Sequence, residues 1–285
     1  MPDLRFAKGH GLGNDYIVLD AADLPWPLTV ERIRAVCDRH RGAGSDGILL
    51  ADLEARPFAL KIYNPDGSPA EKSGNGLRIF AAYLHRRGLV AGEAFRVRLP
   101  KDEVTLKVET ELPAGVLDIS AEMGRADFRG EAVGFAPQAE EALGFVLPVE
   151  GGGTVRVNPV SLANPHCVVL MDELRRDEFL RLGPRLATHP AFPAGTNVQF
   201  ARVLGPDRLE AWIWERGAGE TLASGSSACA VAAVATRLGL VQRGRVTVEM
   251  PGGSVEVTVA EDYAIRLRGP AQMVTEGVVL EGVVG

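Results

Sequence analysis

Apolar residues fall at every second position over long stretches of this 285-residue chain. That alternation places one set of side chains on each face of an extended backbone, so the stretches predict strands with one buried face. LRFAKGHGLGNDYIVLD, from Leu4, reads as strand, glycine-rich turn and strand. GILLAD and FALKIYN follow as strands, and NPDGS as a tight turn. Between residues 94 and 122, FRVRL, EVTLKVET and GVLDISAE repeat the two-residue period of antiparallel strands. Two segments change to a helical period. TVERIRAVCDRH sets Ile33, Val36 and Cys37 on one face behind Thr29, an N-cap residue type. SGNGLRIFAAYLHRRGL predicts a helix that ends near Gly88, with Leu77, Phe80 and Leu84 directed to a core.

The second half repeats this order. TVRVNPVSLANPHCVVLMD predicts strands, DEFLRLGPRLATH a helix, NVQFARVL and LEAWIWER two strands. SGSSACAVAAVATRLGL is a helix, and RVTVEMPGGSVEVTVAEDYAIRLRG a meander. Each half therefore carries a strand, a loop opening with Ser-Gly at Ser73 or Ser224, and an apolar helix. The duplication is one of layout, since the two helices share little sequence. The expected boundaries are residues 1–117 plus 270–285 for one domain, with MVTEGVVLEG returning to it, and 118–269 for the other.

The helix after Ser224 is apolar nearly all round (Ala228, Val231, Ala232, Val234, Ala235, Leu238), as a helix in a domain interior must be. The first N–H groups of a buried helix need acceptors. Two readings stand at this point. A substrate carboxylate binds at each glycine-rich helix start, favoured by the positive end of the helix dipole. Otherwise Ser73 and Ser224 satisfy those donors themselves as N-caps.

Composition narrows the function. A net charge of −6 argues against a nucleic-acid partner, and Arg86-Arg87 and Arg175-Arg176 read as solvated helix faces. No run approaches the roughly 18 to 20 apolar residues that span a bilayer. The opening MPDLRFAKGHGLGNDY has no apolar signal region, so the expected compartment is the cytoplasm. Cys37, Cys167 and Cys229 are odd in number, widely spaced and without a CxxC pair, which predicts buried free thiols and no metal site. Only six asparagines occur, and five stand in loops: HGLGND, YNPDGS, SGNG, LANPHC and GTNVQF. An amide both donates and accepts, which suits a zwitterionic amino acid. For Asn64 and Asn75 turn formation is an equal reading.

HGLGNDYIVLD, YNPDGSPAEKSGNGLRIFAAY, ANPHCVVL, TNVQF and ERGAGETLASGSSACA, in this order and spacing, resemble the signature segments of the diaminopimelate epimerase family. The resemblance runs over essentially the whole chain. It implies an α/β (α+β) protein of two pseudo-symmetric domains, each with antiparallel strands wrapped around a central helix and the site in the cleft between them. It also implies a homodimer and a diamino dicarboxylate substrate epimerised with neither pyridoxal phosphate nor metal, on the route to lysine and peptidoglycan. In that family one thiolate removes the α-proton and a second thiol returns one. A thiol suits the task because its pKa, about 8.5, can be tuned to working pH.

Carried over by position, the resemblance makes Asn14, Asn64, Asn164 and Asn197 substrate-binding. Glu215 and Arg216 hold the amino and carboxylate groups. Gly74, Asn75, Gly225 and Ser226 offer backbone amides to carboxylates. His166 acts with Glu215 on the protonation of the catalytic group, and Asp15 and Asp46 are structural. The chain departs from the family where it matters most. Ser73 and Ser224 occupy both thiol positions, and Gly47 stands where a substrate-touching glutamine is usual. A hydroxyl becomes a competent base only with a strong partner. The serines leave open an engineered form, a loss of the reaction, or a relative with different chemistry. The alternatives to an epimerase are thus a non-catalytic amino-acid-binding protein and a divergent isomerase or dehydratase. Neither serine lies in the G-x-S-x-G elbow of a hydrolase.

Overall fold

The computed structural model describes residues 3–137, 139–150 and 153–284, so the first two positions of the opening segment lie outside it. These residues form two compact units, Met1–Ala121 with Arg268–Gly285, and Glu122–Leu267. The chain leaves the first unit within one strand and returns within another.

In the first unit, β1 (Leu4–Gly11) and β2 (Asn14–Asp20) form an antiparallel hairpin. Its two-residue turn has positive φ at both Leu12 (56°) and Gly13 (86°), the twist that closes a tight hairpin. The next strand, β3 (Ile48–Asp52), lies parallel to β2. A parallel neighbour cannot be reached by a tight turn, and α1 (Val30–Cys37) fills the crossover, its Thr29 hydroxyl accepting from Arg32 N. β4 (Phe58–Tyr63) runs antiparallel to β3, followed by the short β5 (Pro69–Ala70). A second crossover, α2 (Gly74–Arg86), leads to β6 (Phe95–Arg98), parallel to β4. β7 (Glu103–Leu112) and β8 (Val116–Arg125) complete an antiparallel meander.

The second unit opens with a short helix, α3 (Gly130–Val133), and β9 (Phe145–Pro148), then repeats the order. The hairpin is β10 (Thr154–Ser161) and β11 (Pro165–Leu170). α4 (Arg176–Ala187) crosses to β12 (Asn197–Gly205), parallel to β11. β13 (Arg208–Glu215) and β14 (Gly219–Thr221) follow. α5 (Gly225–Arg237) crosses to β15 (Gly244–Met250), parallel to β13. β16 (Gly253–Val259), β17 (Ala264–Val279) and α6 (Glu281–Val284) end the chain.

The duplicated layout is thus repeated strand by strand, including both parallel pairs. Those pairs differ from the purely antiparallel expectation, because alternation of side chains is the same in either direction. AIRLRG and MVTEGVVLEG, read as separate strands, are one continuous β17, whose end pairs with β1 from Leu4↔Val279.

α2 packs on β1, β2 and β7, and α5 on β10 to β13, β15 and β16. Every residue of α5 from Gly225 to Thr236 is buried, as are Gly74 to Leu84 of α2. A second layer lies around the other helices: Ile33, Val36 and Cys37 of α1 join Ile17, Leu19 and Ile48. In the other unit Phe179 of α4 meets Phe200, Trp212 and Trp214 edge to face. Phe80 is fully buried and Leu280 is exposed. Phe80→Ala is therefore expected to cost about 3–5 kcal/mol in urea unfolding, and Leu280→Ala less than about 0.5 kcal/mol. Equal effects would contradict an α2-centred core.

Candidate active site

Ser73 is the N-cap of α2, with extended backbone (φ −133°, ψ 117°). Its Oγ accepts from Gly76 N at 3.0 Å and from the Tyr16 hydroxyl at 3.3 Å. A Cβ on residue 76 would stand 3.1 Å from Leu49 and 3.3 Å from Ser73 Oγ, so glycine there lets the helix start close around the serine. The next residue, Asn75, is 2% exposed. Its Nδ2 donates to Asn14 Oδ1 at 3.1 Å, and its Oδ1 accepts from Arg78 Nη2 at 2.7 Å. Arg78, itself fully buried, also donates to Gly74 O and Pro270 O.

Asn14 Nδ2 in turn donates to Asp46 Oδ2 at 2.8 Å. Arg39 bridges Asp46 and Asp15, and Lys8 pairs with Asp15 at 2.9 Å. Burial alone would raise the Asp15 carboxyl, but hydrogen bonds from Arg39 and Lys8 outweigh it and hold it below the ordinary range. Asp15 and Asp46 therefore support Asn14. Asn64 holds its own turn, donating from Nδ2 to Ser68 Oγ at 3.0 Å.

The second unit builds a different start. Ser224, 5% exposed, is the N-cap of α5, but its side chain makes no cap hydrogen bond. Of the two readings of these serines, Ser73 fulfils the capping one and Ser224 does not. Beneath α5 lies a buried polar chain. Gln199 Nε2 reaches Ser227 Oγ at 2.9 Å and His166 Nδ1 at 3.0 Å, and His166 Nε2 reaches Asn164 Oδ1 at 3.0 Å. An amide nitrogen only donates and an amide oxygen only accepts, so His166 carries its proton on Nε2 and accepts at Nδ1. Burial pushes the ring down to about 3, the Arg216 charge adding to the effect and the Gln199 bond opposing it.

Asn197 lies beside His166 across the parallel β11–β12 pair. Its Nδ2 donates to Pro165 O at 3.1 Å and its Oδ1 accepts from Arg216 N at 3.0 Å. The Arg216 guanidinium donates to Ala194 O at 3.0 Å. Glu215, half-buried, closes β13 opposite Gly219. Gly225 and Ser226 form the buried first turn of α5.

The first unit thus gathers Asn14, Ser73, Gly74 and Asn75, with Asn64 held in its own turn. The second gathers Asn164, His166, Asn197 and Arg216, with Ser224, Gly225 and Ser226 at the start of α5. Sequence reasoning passed over Tyr16, Arg78, Gln199 and Ser227. Arg78 had a signal, a cation inside the apolar run Leu77-Arg78-Ile79-Phe80. Gln199 had one too, a polar residue between Val198 and Phe200 of an apolar strand.

Two departures gain a physical account. A Cβ at residue 47 would come within 2.3 Å of Tyr63 O and 2.8 Å of the Tyr16 ring, so no larger side chain fits at Gly47 without moving the backbone. The three cysteines do not stand in for the absent thiols. None is joined in a disulfide, all are buried, and burial pushes the Cys37 and Cys167 thiols up, away from the thiolate. Among the described residues, no group of three or more His, Cys, Asp or Glu could hold a metal ion.

The family model described as diaminopimelate epimerase matches residues 6–128 and 159–274. Diaminopimelate epimerase 2 of Nostoc sp. is 40% identical over 276 residues, covering 96% of this chain and 95% of that protein. Diaminopimelate epimerase of Pelotomaculum thermopropionicum is 37% identical over 283 residues, covering 96% and 98%. Among solved structures, a hydroxyproline epimerase from Agrobacterium vitis superposes with a TM-score of 0.71 at 16% identity, covering 97% of this chain and 92% of that one. A predicted epimerase from Pseudomonas aeruginosa gives 0.66 at 20% identity, covering 96% and 98%. At such identities the structures speak for the fold alone.

The His166 ring makes a prediction about stability. An unfolded histidine takes up its proton near pH 6.5, the folded one only near 3. Between those values the unfolded state binds more protons, so stability falls as pH drops from about 6.5 toward 3. In urea unfolding between pH 6.5 and 4.5, His166→Gln should flatten this slope by up to one proton, about 1.4 kcal/mol per pH unit. Identical slopes would show that the ring is protonated in place.

Proposed function

Since this chain belongs to the diaminopimelate epimerase family, an isomerase family serving lysine biosynthesis, we propose that Ser73 and Ser224 are its two proton-transfer groups. One removes the α-proton of the LL substrate and the other returns a proton to give the meso form. The observation that supports this reading is the equivalence of the two serines. Each is the N-cap of a buried crossover helix, α2 or α5, at the same place in the repeated order of elements.

The chemistry needs two things besides a base. The carbanion that forms when the α-proton leaves needs donors aimed at its carboxylate. The opening turns at Gly74-Asn75 and Gly225-Ser226 supply backbone N–H groups, and at α5 no serine side chain takes them up. The substrate must also be held with its α-carbon aligned. Asn14, Asn64, Asn164 and Asn197 do this in the proposal, with Glu215 on the amino group and Arg216 on a carboxylate. Asn14 and Asn164 have little freedom, one tied to Asp46 and Asn75, the other to His166. His166 keeps Asn164 in place as a neutral ring, and Glu215 provides the charge for which the family resemblance pairs the two.

The substrate is a diamino dicarboxylate, the protein a homodimer, and the compartment the cytoplasm. No described helix is long and apolar enough to cross a membrane.

Hydroxyls at both positions favour a second reading, an amino-acid-binding protein without turnover. Proton NMR of LL-diaminopimelate in deuterium oxide separates them. Loss of the α signal is expected, and broadening without loss would leave only binding. Ser73→Cys with Ser224→Cys should raise the exchange rate by orders of magnitude, and either change alone should do little, because each transfer needs its own group. No gain from the pair would remove these serines from the reaction.

A further inference from the structure

We propose that Tyr16 is a positioning residue that relays a proton through Ser73, which makes a hydroxyl usable where the family has a thiol. The proposal rests on the reading that Ser73 transfers a proton. Its own basis is the arrangement around Ser73 Oγ. That oxygen accepts Gly76 N–H at 3.0 Å and the Tyr16 hydroxyl at 3.3 Å. A hydroxyl oxygen has two lone pairs, so both are engaged and the serine's own proton is left to a third direction.

The Tyr16 ring is held for this task. It is 7% exposed, at a position in β2 whose neighbours pair with β1 and β3. Residue 47 begins the approach to β3, and its backbone carbonyl accepts from Ile17 N at 3.1 Å. A Cβ there would stand 2.8 Å from Tyr16 Cε1 and 3.2 Å from Cδ1. The ring therefore lies against the bare backbone of Gly47, where a side chain would collide with both the ring and the Tyr63 carbonyl. The tyrosine hydroxyl and the missing side chain at residue 47 form one arrangement.

The step balances as follows. When Ser73 delivers its proton to the α-carbanion, the Oγ–H bond breaks and the new C–H bond forms. As negative charge grows on Oγ, the Tyr16 O–H bond breaks and a new Oγ–H bond forms, leaving the charge on the phenolate. A phenol, with an ordinary pKa of about 10, carries that charge far better than an aliphatic alkoxide. In reverse, the phenolate takes the serine proton while Ser73 takes the α-proton. Gly76 N–H stabilises the charge on Oγ in both directions.

The test is a cycle of Tyr16→Phe, Ser73→Cys and their combination, read as α-proton exchange of LL- and meso-diaminopimelate in deuterium oxide. Phenylalanine keeps the ring and removes only the hydroxyl, and thermal melting checks that the variants fold. With Ser73 in place, Tyr16→Phe should lower kcat about 100-fold, the lower end of what losing one such donor costs, with KM nearly unchanged. It should also abolish the rise of exchange toward alkaline pH that a phenol imposes. With Ser73→Cys the same change should cost only a few-fold, because a thiol ionises without the relay. An equal loss in both backgrounds, or none in either, would overturn the relay and leave the proposed function standing. So would an inert unmodified chain that Ser73→Cys with Ser224→Cys revives. Exchange in none of these proteins, that pair included, would remove the proposed site and the relay together.

Discussion

A helix buried around its whole circumference has no solvent to satisfy its first N–H groups, and this constraint shapes both units. α5 sits inside its sheet because its side chains leave it no polar face, whereas α2 is buried together with Asn75 and Arg78, whose polar groups are met from within. Both helices begin with a glycine, Gly74 or Gly225. Whatever meets the first turn must then be polar and built in, or arrive as a ligand. At α2 the answer is largely built in. Ser73 caps Gly76, Asn75 is tied to Asn14, and Arg78 gathers Gly74 O, Asn75 Oδ1 and Pro270 O. At α5 the polar chain Asn164–His166–Gln199–Ser227 runs below the first turn, and the Ser224 side chain takes no part in capping. Equivalent elements thus leave unequal chemistry at their two serines.

Strand existence was legible because one side chain in two must be buried, α2 because Leu77, Phe80 and Leu84 share a core-directed face, and α5 because its residues are apolar nearly all round. Strand direction was not legible. Ile17 opposite Ile48 and His166 opposite Asn197 are parallel pairs whose alternation reads the same as an antiparallel one. AIRLRG and MVTEGVVLEG read as two strands, yet β17 runs on through Gly269-Pro270 and uses the Pro270 carbonyl as an acceptor for Arg78. The scarcity of asparagine pointed to five residues read as lying in loops. Asn64 and Asn164 do, whereas Asn14, Asn75 and Asn197 stand at the starts of β2, α2 and β12, and all five make specific hydrogen bonds. A tyrosine in YIVLD, by contrast, reads as a strand aromatic, and nothing local marks its hydroxyl. Its partner Ser73 lies 57 residues away, and only the fold brings the two together.

Replacing a thiol by a hydroxyl changes more than nucleophilicity. A thiol needs only a favourable field to become the base, whereas a hydroxyl needs hydrogen bonds that follow the charge as it forms. The environment of Ser73 is of the second kind. Two donors converge on Oγ, the Gly76 N–H and the Tyr16 hydroxyl. Burial favours the neutral thiol at Cys37 and Cys167, so neither offers a ready thiolate.

Ser224 has no comparable pair of donors, and His166 does not provide them. Both ring nitrogens are engaged, Nδ1 by Gln199 and Nε2 by Asn164. A ring whose proton is lost above about pH 3 stays neutral at any pH where an amino acid would be epimerised. What it transmits is orientation. The Nε2 proton fixes the Asn164 amide with its oxygen turned inward and its nitrogen free to donate, which suits a carboxylate. Gln199 fixes the ring from the other side and ties it to Ser227 in the first turn of α5. A displacement of that turn would therefore be felt at Asn164 through three hydrogen bonds. The hydrogen bonds of the second unit thus fix an amide, whereas those of the first converge on a hydroxyl, Ser73 Oγ.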